Sequence, residues 1–453
     1  MISLIISTLV VLVIPKLIGV EEYGYWQLYI LYTSYVGFLH FGWNDGIYLR
    51  YGGKDYNELD KKLFFSQFYM LLIMQIVIAI IITLVTYFLI SDGNRIFILR
   101  ATSIDIVIVN TRYMLLFILQ ATNQIKKYAK VIILDRIIYV GLIVLFLLIG
   151  QRNYKLMIIT DLISKGISFL YVMYLCRDIV FQKFSEFIIT ISETITNISV
   201  GIKLLFSNIA SKFVIGCVKL GIERSWDIST FGKVSLTLSV SNFVMIFISA
   251  IGIIMYPILR RTNEEKLPSI YRTMRELLIF FILATLIIYY PLKVILSRWL
   301  PEYAESLNYM GILFPIVIFE SKMSLLVNTY LKALRKEKHI LIVNVITVFM
   351  SIVLTIIASV MLKNLNFAVS TIVILLAIKS IIAEIFLSKI ININIYKDIV
   401  LEIIMIIVFI YSSWIVNSSL STVFYGMAYL LYVFIKRSDI KAAFKTIGSL
   451  VKA

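Results

Sequence analysis

Arg112, Lys165, Lys212, Lys322 and Lys379 each fall near the middle of a long apolar segment. A charged side chain at the centre of a membrane helix costs about 2.5–3.5 kcal/mol on insertion scales, so it normally faces a partner or a wet cavity. Two chemistries fit such residues: they neutralise buried carboxylates, or they line a cavity that shelters an anion. Spacing sorts them. Lys165 follows Asp161 by four positions, one turn on the same face, and reads as half of a local ion pair. Arg112 follows Asp105 by seven, the same face but two turns away, which leaves both readings open. Lys212 has no acid on its own face, shares a stripe with Asn208 and neighbours Ser211, which favours ligand contact over snorkelling. Lys322 and Glu320 stand two apart and point to opposite sides, while Lys379 and Glu384 are separated by about 140° around a helix. Each of those four needs a partner elsewhere. Asp161 and Glu320 are candidate ion-coupling carboxylates, with a permanent salt bridge as the alternative.

The elements that must position these residues follow from composition. Hydrophobic residues make up 60% of 453 positions and charged residues only 15%. A water-soluble core stops growing beyond a few hundred residues, so that much apolar surface implies a bilayer. Fourteen apolar segments can be delimited, at about 2–18, 25–48, 64–90, 99–120, 131–149, 155–176, 200–219, 230–256, 271–292, 306–331, 339–362, 366–388, 399–416 and 419–435. The expected fold is an all-α integral membrane protein of about 14 transmembrane helices. The first segment lacks a basic leader and an Ala-x-Ala-like site and is read as a span, not as a cleaved signal. The second, rich in Gly, Tyr and polar groups, suits a helix lining protein or water.

Lys and Arg set the orientation. With the N-terminus cytoplasmic, the inner loops carry 25 of them and the outer loops 10, which predicts both termini inside. The formal charge of +17 is therefore read as loop bias, with no nucleic-acid partner. Trp26, Trp226, Trp299 and Trp414 fall near outer helix ends, as an interfacial belt would place them. Cys176 and Cys217 have no metal spacing, and His40 and His339 have no companions at ligand distance along the chain, so neither metal nor cofactor is expected.

The chain repeats itself. Gly19 to Gly24 opens a helix after the first span, and Gly221 to Gly232 does so after the seventh. Leu119-Gln120-Ala121 precedes Lys126 and Lys127, as Leu331-Lys332-Ala333 precedes Arg335, Lys336 and Lys338. Two six-helix lobes in parallel repeat explain both echoes, with a site expected at their interface. The expected divisions are a first lobe over 1–176, a cytoplasmic amphipathic linker over 177–199, a second lobe over 200–390, and two extra spans with a basic tail over 391–453.

The run Ile14-Pro15-Lys16-Leu17-Ile18-Gly19-Val20-Glu21-Glu22-Tyr23-Gly24-Tyr25-Trp26 resembles the first-loop signature of bacterial polysaccharide flippases. These are the Wzx-type members of the multidrug/oligosaccharidyl-lipid/polysaccharide (MOP) exporter superfamily. Ile209 to Gly232 and Ala250 to Arg261, with Met255-Tyr256-Pro257-Ile258-Leu259-Arg260-Arg261, also resemble the family. Only 18 residues precede Gly19, fewer than family members usually carry, so the expectation is either a misassigned start or a shortened first helix.

The resemblance implies two lobes enclosing a cationic cavity lined by the first, second, seventh and eighth helices. It implies a cargo of oligosaccharide on an undecaprenyl pyrophosphate carrier, moved between leaflets of the bacterial cytoplasmic membrane by alternating access. A monomer working beside a polymerase and other polysaccharide-assembly proteins is the expected setting. The diphosphate would meet Lys212, Arg112, Lys322, Lys379, Lys165 and Asn208. Lys16 matches a basic position in the signature and is a gate candidate, and Arg50 is a headgroup candidate; both also suit ordinary interfacial anchors. Trp26, Tyr29 and Tyr32 are placed to stack on sugars.

Three other readings compete. A lipid II-type flippase would carry closely related cargo. A cation-coupled small-molecule exporter of the same superfamily would share the fold but should hold acids over bases. A membrane-embedded sugar polymerase or ligase needs a sizeable outer loop and paired catalytic groups, neither of which stands out, so no enzyme activity is expected.

Overall fold

A backbone inside hydrocarbon must satisfy its own hydrogen bonds, and long apolar runs do so as helices. The computed structural model describes residues 11–241, 245, 259, 264–416 and 420–452, and every regular element among them is helical. The stretch Ala250 to Arg261 and the second half of the eighth apolar segment lie outside the described residues, apart from Met245 and Leu259, as does the first half of the first segment. The chain divides into two compact units, Met1–Ile209 and Ala210–Ala453.

In the first unit, α1 (Ile14–Ile18) leads through Gly19, at φ +84°, into α2 (Val20–Val36). A short 3-10 turn, Gly37–His40, then breaks the second span before α3 (Trp43–Tyr51). Long helices follow: α4 (Lys61–Leu89), α5 (Gly93–Ala121), α6 (Ile125–Leu148) and α7 (Tyr154–Leu175). Asp60, Asp92 and Asn153 cap α4, α5 and α7 by accepting hydrogen bonds from first-turn amides. Ile73, Ile76, Ile80, Leu84 and Phe88 stand exposed along α4, a stripe at helical spacing suited to lipid.

The expected linker resolves into three parts. Arg177–Val180 forms a single helical turn and Phe184–Glu186 a 3-10 turn, whereas α8 (Ile191–Ser225) runs without interruption through the last linker residues and the seventh apolar segment. Its residues up to Ile209 belong to the first unit, where they cross α3 at glycines. A Cβ on Gly46 would lie 1.8 Å from the Asn197 carbonyl oxygen, and one on Gly201 would lie 2.0 Å from the Gly42 oxygen. Gly42 itself sits at φ +88°, left-handed backbone that glycine adopts at little cost.

The second unit contains α9 (Ile228–Ser241), α10 (Leu267–Thr285), α11 (Tyr289–Trp299), α12 (Ser306–Leu313) and α13 (Ile316–Ala333). It continues with α14 (Lys338–Met361), α15 (Leu365–Ile390), α16 (Tyr396–Val416), α17 (Ser421–Ile435) and α18 (Arg437–Lys452). A 3-10 turn, Leu286–Ile288, joins α10 to α11, and α12 meets α13 at a 42° bend beside Pro315. The last two spans belong to this unit's core. Tyr425 and Tyr429 on α17 donate to the Leu283 and Phe280 carbonyls of α10 at 3.0 Å each.

The glycine crossing has a direct consequence. Gly46→Ala should destabilise the purified protein by about 1–3 kcal/mol or more through overpacking. Gly37→Ala, whose Cβ meets nothing within 4 Å, should leave it unchanged. Thermal unfolding in detergent of the two variants checks the contrast.

Candidate functional site

The first unit gathers Asp105, Arg112, Asp135, Asp161 and Lys165 into one cluster. Asp161, Lys165 and Ser168 recur at positions i, i+4 and i+7 of α7, one face of a helix, and Asp105 and Arg112 share a face of α5. The two faces meet. Lys165 Nζ lies 2.6 Å from Asp161 and 2.9 Å from Asp105, and Tyr29 on α2 donates its hydroxyl to Asp161 at 2.7 Å. Arg112 pairs with Asp135 of α6 at 2.9 Å and donates to Ser168. The pairing of Lys165 with Asp161 is the one the spacing favoured. Arg112 takes an acid on another helix, Asp135, in place of Asp105. Three carboxylates thus face two bases, and one oxygen of the buried Asp105 has no hydrogen-bond partner.

Arg50 sits in a separate clasp at the end of α3. It makes two contacts to Glu193 at 2.6 and 3.2 Å and one to Asn197 at 2.6 Å, and Tyr51 adds a hydrogen bond to Glu193 at 2.8 Å. That geometry ties α3 to the start of α8 across the glycine crossing. The guanidinium placed as a headgroup contact is thus engaged by a carboxylate of its own unit.

The aromatic expectation changes. Trp26 and Tyr29 are buried inside the first unit, Trp26 against Tyr23 at 5.6 Å and Tyr29 on Asp161, so neither ring presents a face for sugar stacking. Burial also removes Trp26 from the interfacial belt. The signature run has a structural role as well. Glu22 accepts a hydrogen bond from the Tyr154 amide at 2.6 Å, capping α7, and Tyr25 stacks on Tyr154 at 4.9 Å. Lys16 is exposed on α1.

The second unit holds a charge-balanced quartet. Lys322 on α13 contacts Glu384 of α15 at 2.9 Å and Glu402 of α16 at 2.6 Å. Arg275 on α10 contacts the same two acids at 2.7 and 3.1 Å, and Tyr271 donates to Glu384 at 2.9 Å. All four charged groups are buried. The sequence required outside partners for Lys322 and for Glu384, and each turns out to be the other's. Arg275 and Glu402 were not anticipated. A lone Glu in the thirteenth apolar segment was the available signal, since such a group needs a partner. Lys322 therefore does not stand as a free cation.

A third cluster lies at the Lys436 end of α17. Lys436 contacts Glu276, Asp398 and Asp439 at 2.8, 2.7 and 2.8 Å. Burial pulls the ammonium down, but the hydrogen bonds it donates to Asp398, Asp439 and Glu276 outweigh it and hold its pKa above the ordinary lysine value.

Lys379 behaves differently. It is 3% exposed on α15, and its Nζ takes a neutral hydroxyl, Ser211 of α8, at 3.1 Å. No carboxylate lies within ion-pair distance of it among the described residues; Glu320, half-buried on α13, acts on it only through longer-range attraction. Lys212, next to Ser211, is exposed on its unit, and Asn208 is exposed one turn earlier on the same helix. Of the six cavity candidates, the structure thus brings Lys379 to Ser211, the sequence neighbour of Lys212, and engages Arg112, Lys165 and Lys322 with carboxylates.

Comparison with solved structures identifies the architecture. An inward-facing conformation of a multidrug resistance MATE family transporter of the MOP superfamily matches with a TM-score of 0.64 at 12% identity, over 86% of this chain and 94% of that one. A MATE protein in the straight conformation matches at a TM-score of 0.47 and 14% identity, over 86% and 94%. A MOP superfamily transporter from Pyrococcus furiosus gives 0.44 and 12%, over 84% and 95%. No family model and no curated protein matches the sequence. The first of these likenesses defines the fold, an all-α MATE-like membrane architecture of two lobes with about fourteen helices.

The quartet makes a quantitative prediction. Glu402→Ala leaves buried cations uncompensated and should cost about 3–5 kcal/mol. Lys322→Met combined with Glu402→Met removes one charge of each sign, so it should recover a large part of that loss. Thermal unfolding of the single and double variants measures the difference.

Proposed function

We propose that this chain is an alternating-access transporter that carries an undecaprenyl-pyrophosphate-linked oligosaccharide from the inner to the outer leaflet of the bacterial cytoplasmic membrane, for surface polysaccharide export. It works with both termini in the cytoplasm. One observation carries the reading. The described clusters around Arg112, Lys165, Arg275, Lys322 and Lys436 all bring carboxylates to their bases, whereas Lys379 keeps a buried ammonium against a serine hydroxyl beside Lys212. A buried ammonium without a fixed acid is costly, and an arriving pyrophosphate supplies the missing charge. The MATE-like fold supports transport as the activity, with no catalytic step.

A cation-coupled exporter of the same superfamily is the second reading. The first-unit cluster favours it, because three carboxylates against two bases leave room for a proton or a monovalent cation. The two readings are compatible where that cation drives an anionic cargo. A lipid II-type flippase would rest on the same buried ammonium, Lys379.

Lys379→Ala and Lys212→Ala, at unchanged expression, should abolish surface polymer in a strain that depends on this protein, while Lys379→Arg and Lys212→Arg should retain part of it. Normal polymer in both alanine variants would sink the anionic-cargo reading. In proteoliposomes, cargo movement should slow when the proton or sodium gradient is collapsed, and Asp161→Asn should remove that sensitivity. Transport indifferent to either gradient would discard the coupling role of Asp161 and, with it, of Glu320.

A further inference from the structure

The last helix, α18, folds back on its own unit. Tyr429 of α17 and Phe444 of α18 meet the same ring, Phe280 of α10, with centroids 6.1 and 6.2 Å away. A continuous helix would hold two residues 15 positions apart roughly 22 Å from each other, so the chain turns between them. The turn falls at Lys436, whose contacts to Glu276, Asp398 and Asp439 fasten it to α10 and α16.

Helix spacing then sorts the faces of α18. Ile440 and Ala443 are buried. Arg437, Lys441 and Lys445 recur at i, i+4 and i+8, all exposed, and form one stripe. Asp439, the one acid between residues 437 and 446, lies about 160° from the middle of that stripe and is held by Lys436. Among the described residues, no carboxylate comes within ion-pair distance of the three bases. Phe444 stands between the buried face and the stripe, 47% exposed and edge-on to Phe281 of α10 at 6.2 Å. Phe281 is itself exposed on a spanning helix, where lipid meets it. Phe434, exposed at the end of α17, carries the Arg437 guanidinium over its ring at 4.8 Å. Rings at the edge of the hydrocarbon with cations beside them are the composition of an interfacial helix.

We propose that α18 is an interfacial helix whose basic stripe binds the anionic headgroups of a bilayer surface, with Phe434 and Phe444 set at the boundary between headgroups and acyl chains. Charge complementarity selects the occupant. Three cations at helical spacing, with no acid facing them among the described residues, attract a negatively charged surface, and the two rings continue the lipid-facing wall of α10. The positive-inside bias makes that surface the cytoplasmic leaflet. The contact stands within one unit and does not rest on the transport reading, since headgroup binding is measured without transport.

The test uses full-length protein in nanodiscs of phosphatidylcholine, alone or mixed with phosphatidylglycerol, read by hydrogen exchange of the amides between residues 437 and 446. Phosphatidylglycerol should slow that exchange by about fivefold or more, and raised salt should reverse the slowing. Arg437→Gln with Lys441→Gln and Lys445→Gln should remove the difference between the lipids while leaving the melting temperature in phosphatidylcholine unchanged. Lys441→Glu, a single exposed change, should weaken the slowing by about twofold or more. Lys126→Gln with Lys130→Gln, exposed at the start of α6, removes charge elsewhere and should leave the slowing intact. Equal exchange in the two lipids, or slowing that survives both α18 variants, overturns the proposal. Slowing confined to discs that hold two copies assigns the face to a second chain and overturns it as well.

Discussion

Charge must be neutralised where water is absent, and the packing of both units follows from that constraint. A carboxylate or ammonium taken from water into a low-dielectric interior loses hydration that only a close partner replaces. In the first unit the partners come from α5, α6 and α7, with a tyrosine from α2. In the second they come from α10, α13, α15 and α16, so that Arg275 and Lys322 each contact the same two glutamates. Each helix in such a ring is fixed in rotation as well as in position, because turning it would carry a charge into lipid. The thirteenth span is thereby part of the second unit's core: Glu402 is one of the two acids on which the ring closes.

Against that background, buried Lys379 is informative because its contact is neutral. A serine hydroxyl accepts one hydrogen bond but supplies no net charge, so the ammonium keeps its demand for an anion. The same logic separates the two units. The second-unit quartet is balanced and closed, which suits a permanent joint. The first-unit cluster carries an extra carboxylate, which suits a site whose occupancy by a cation changes during a cycle. The balanced quartet and the unbalanced cluster are thus built from the same residue types, and the difference between them lies in the local balance of charge.

Much of the helical architecture was legible in the sequence, because membrane helices require long apolar runs and nothing else replaces them. Local pairs were legible too. Asp161 and Lys165 stand one turn apart, and helix geometry alone predicts their contact. What the sequence concealed were partners brought together by packing. Glu402 and Lys322 are separated by 80 positions and Arg112 and Asp135 by 23, and no periodicity connects residues on different helices. Resemblance misled in one respect. It drew Trp26 and Tyr29 toward the cargo, whereas Tyr29 is held by Asp161 and Trp26 packs beside Tyr23. Glycine spacing carried information that the reading passed over: Gly42 and Gly46 stand four apart on a helix end, the pattern of a close backbone crossing.

The places where helices break argue in the same direction as the charges. An interrupted helix frees backbone groups that hydrocarbon cannot satisfy, so a break persists only where side chains take them up. Between α2 and α3, the Val36 carbonyl accepts from Asn110 and the Leu39 carbonyl from Gln75, both at 3.1 Å, while Asn44 beyond the break reaches back to the Asn110 carbonyl. In the second unit, the Ser413 hydroxyl bonds to the Gly311 carbonyl at 3.1 Å where α12 nears its bend, and Lys322 opens a π segment while serving the quartet. Breaks therefore fall where polar side chains are at hand to take up the freed backbone groups. Unbroken helices bury polar groups as well: α4 runs for 29 residues and buries Ser66, Gln67, Gln75 and Thr86. Polar side chains thus take up the backbone groups that each break frees, and charge balance separates the closed second-unit quartet from the first-unit cluster with its extra carboxylate.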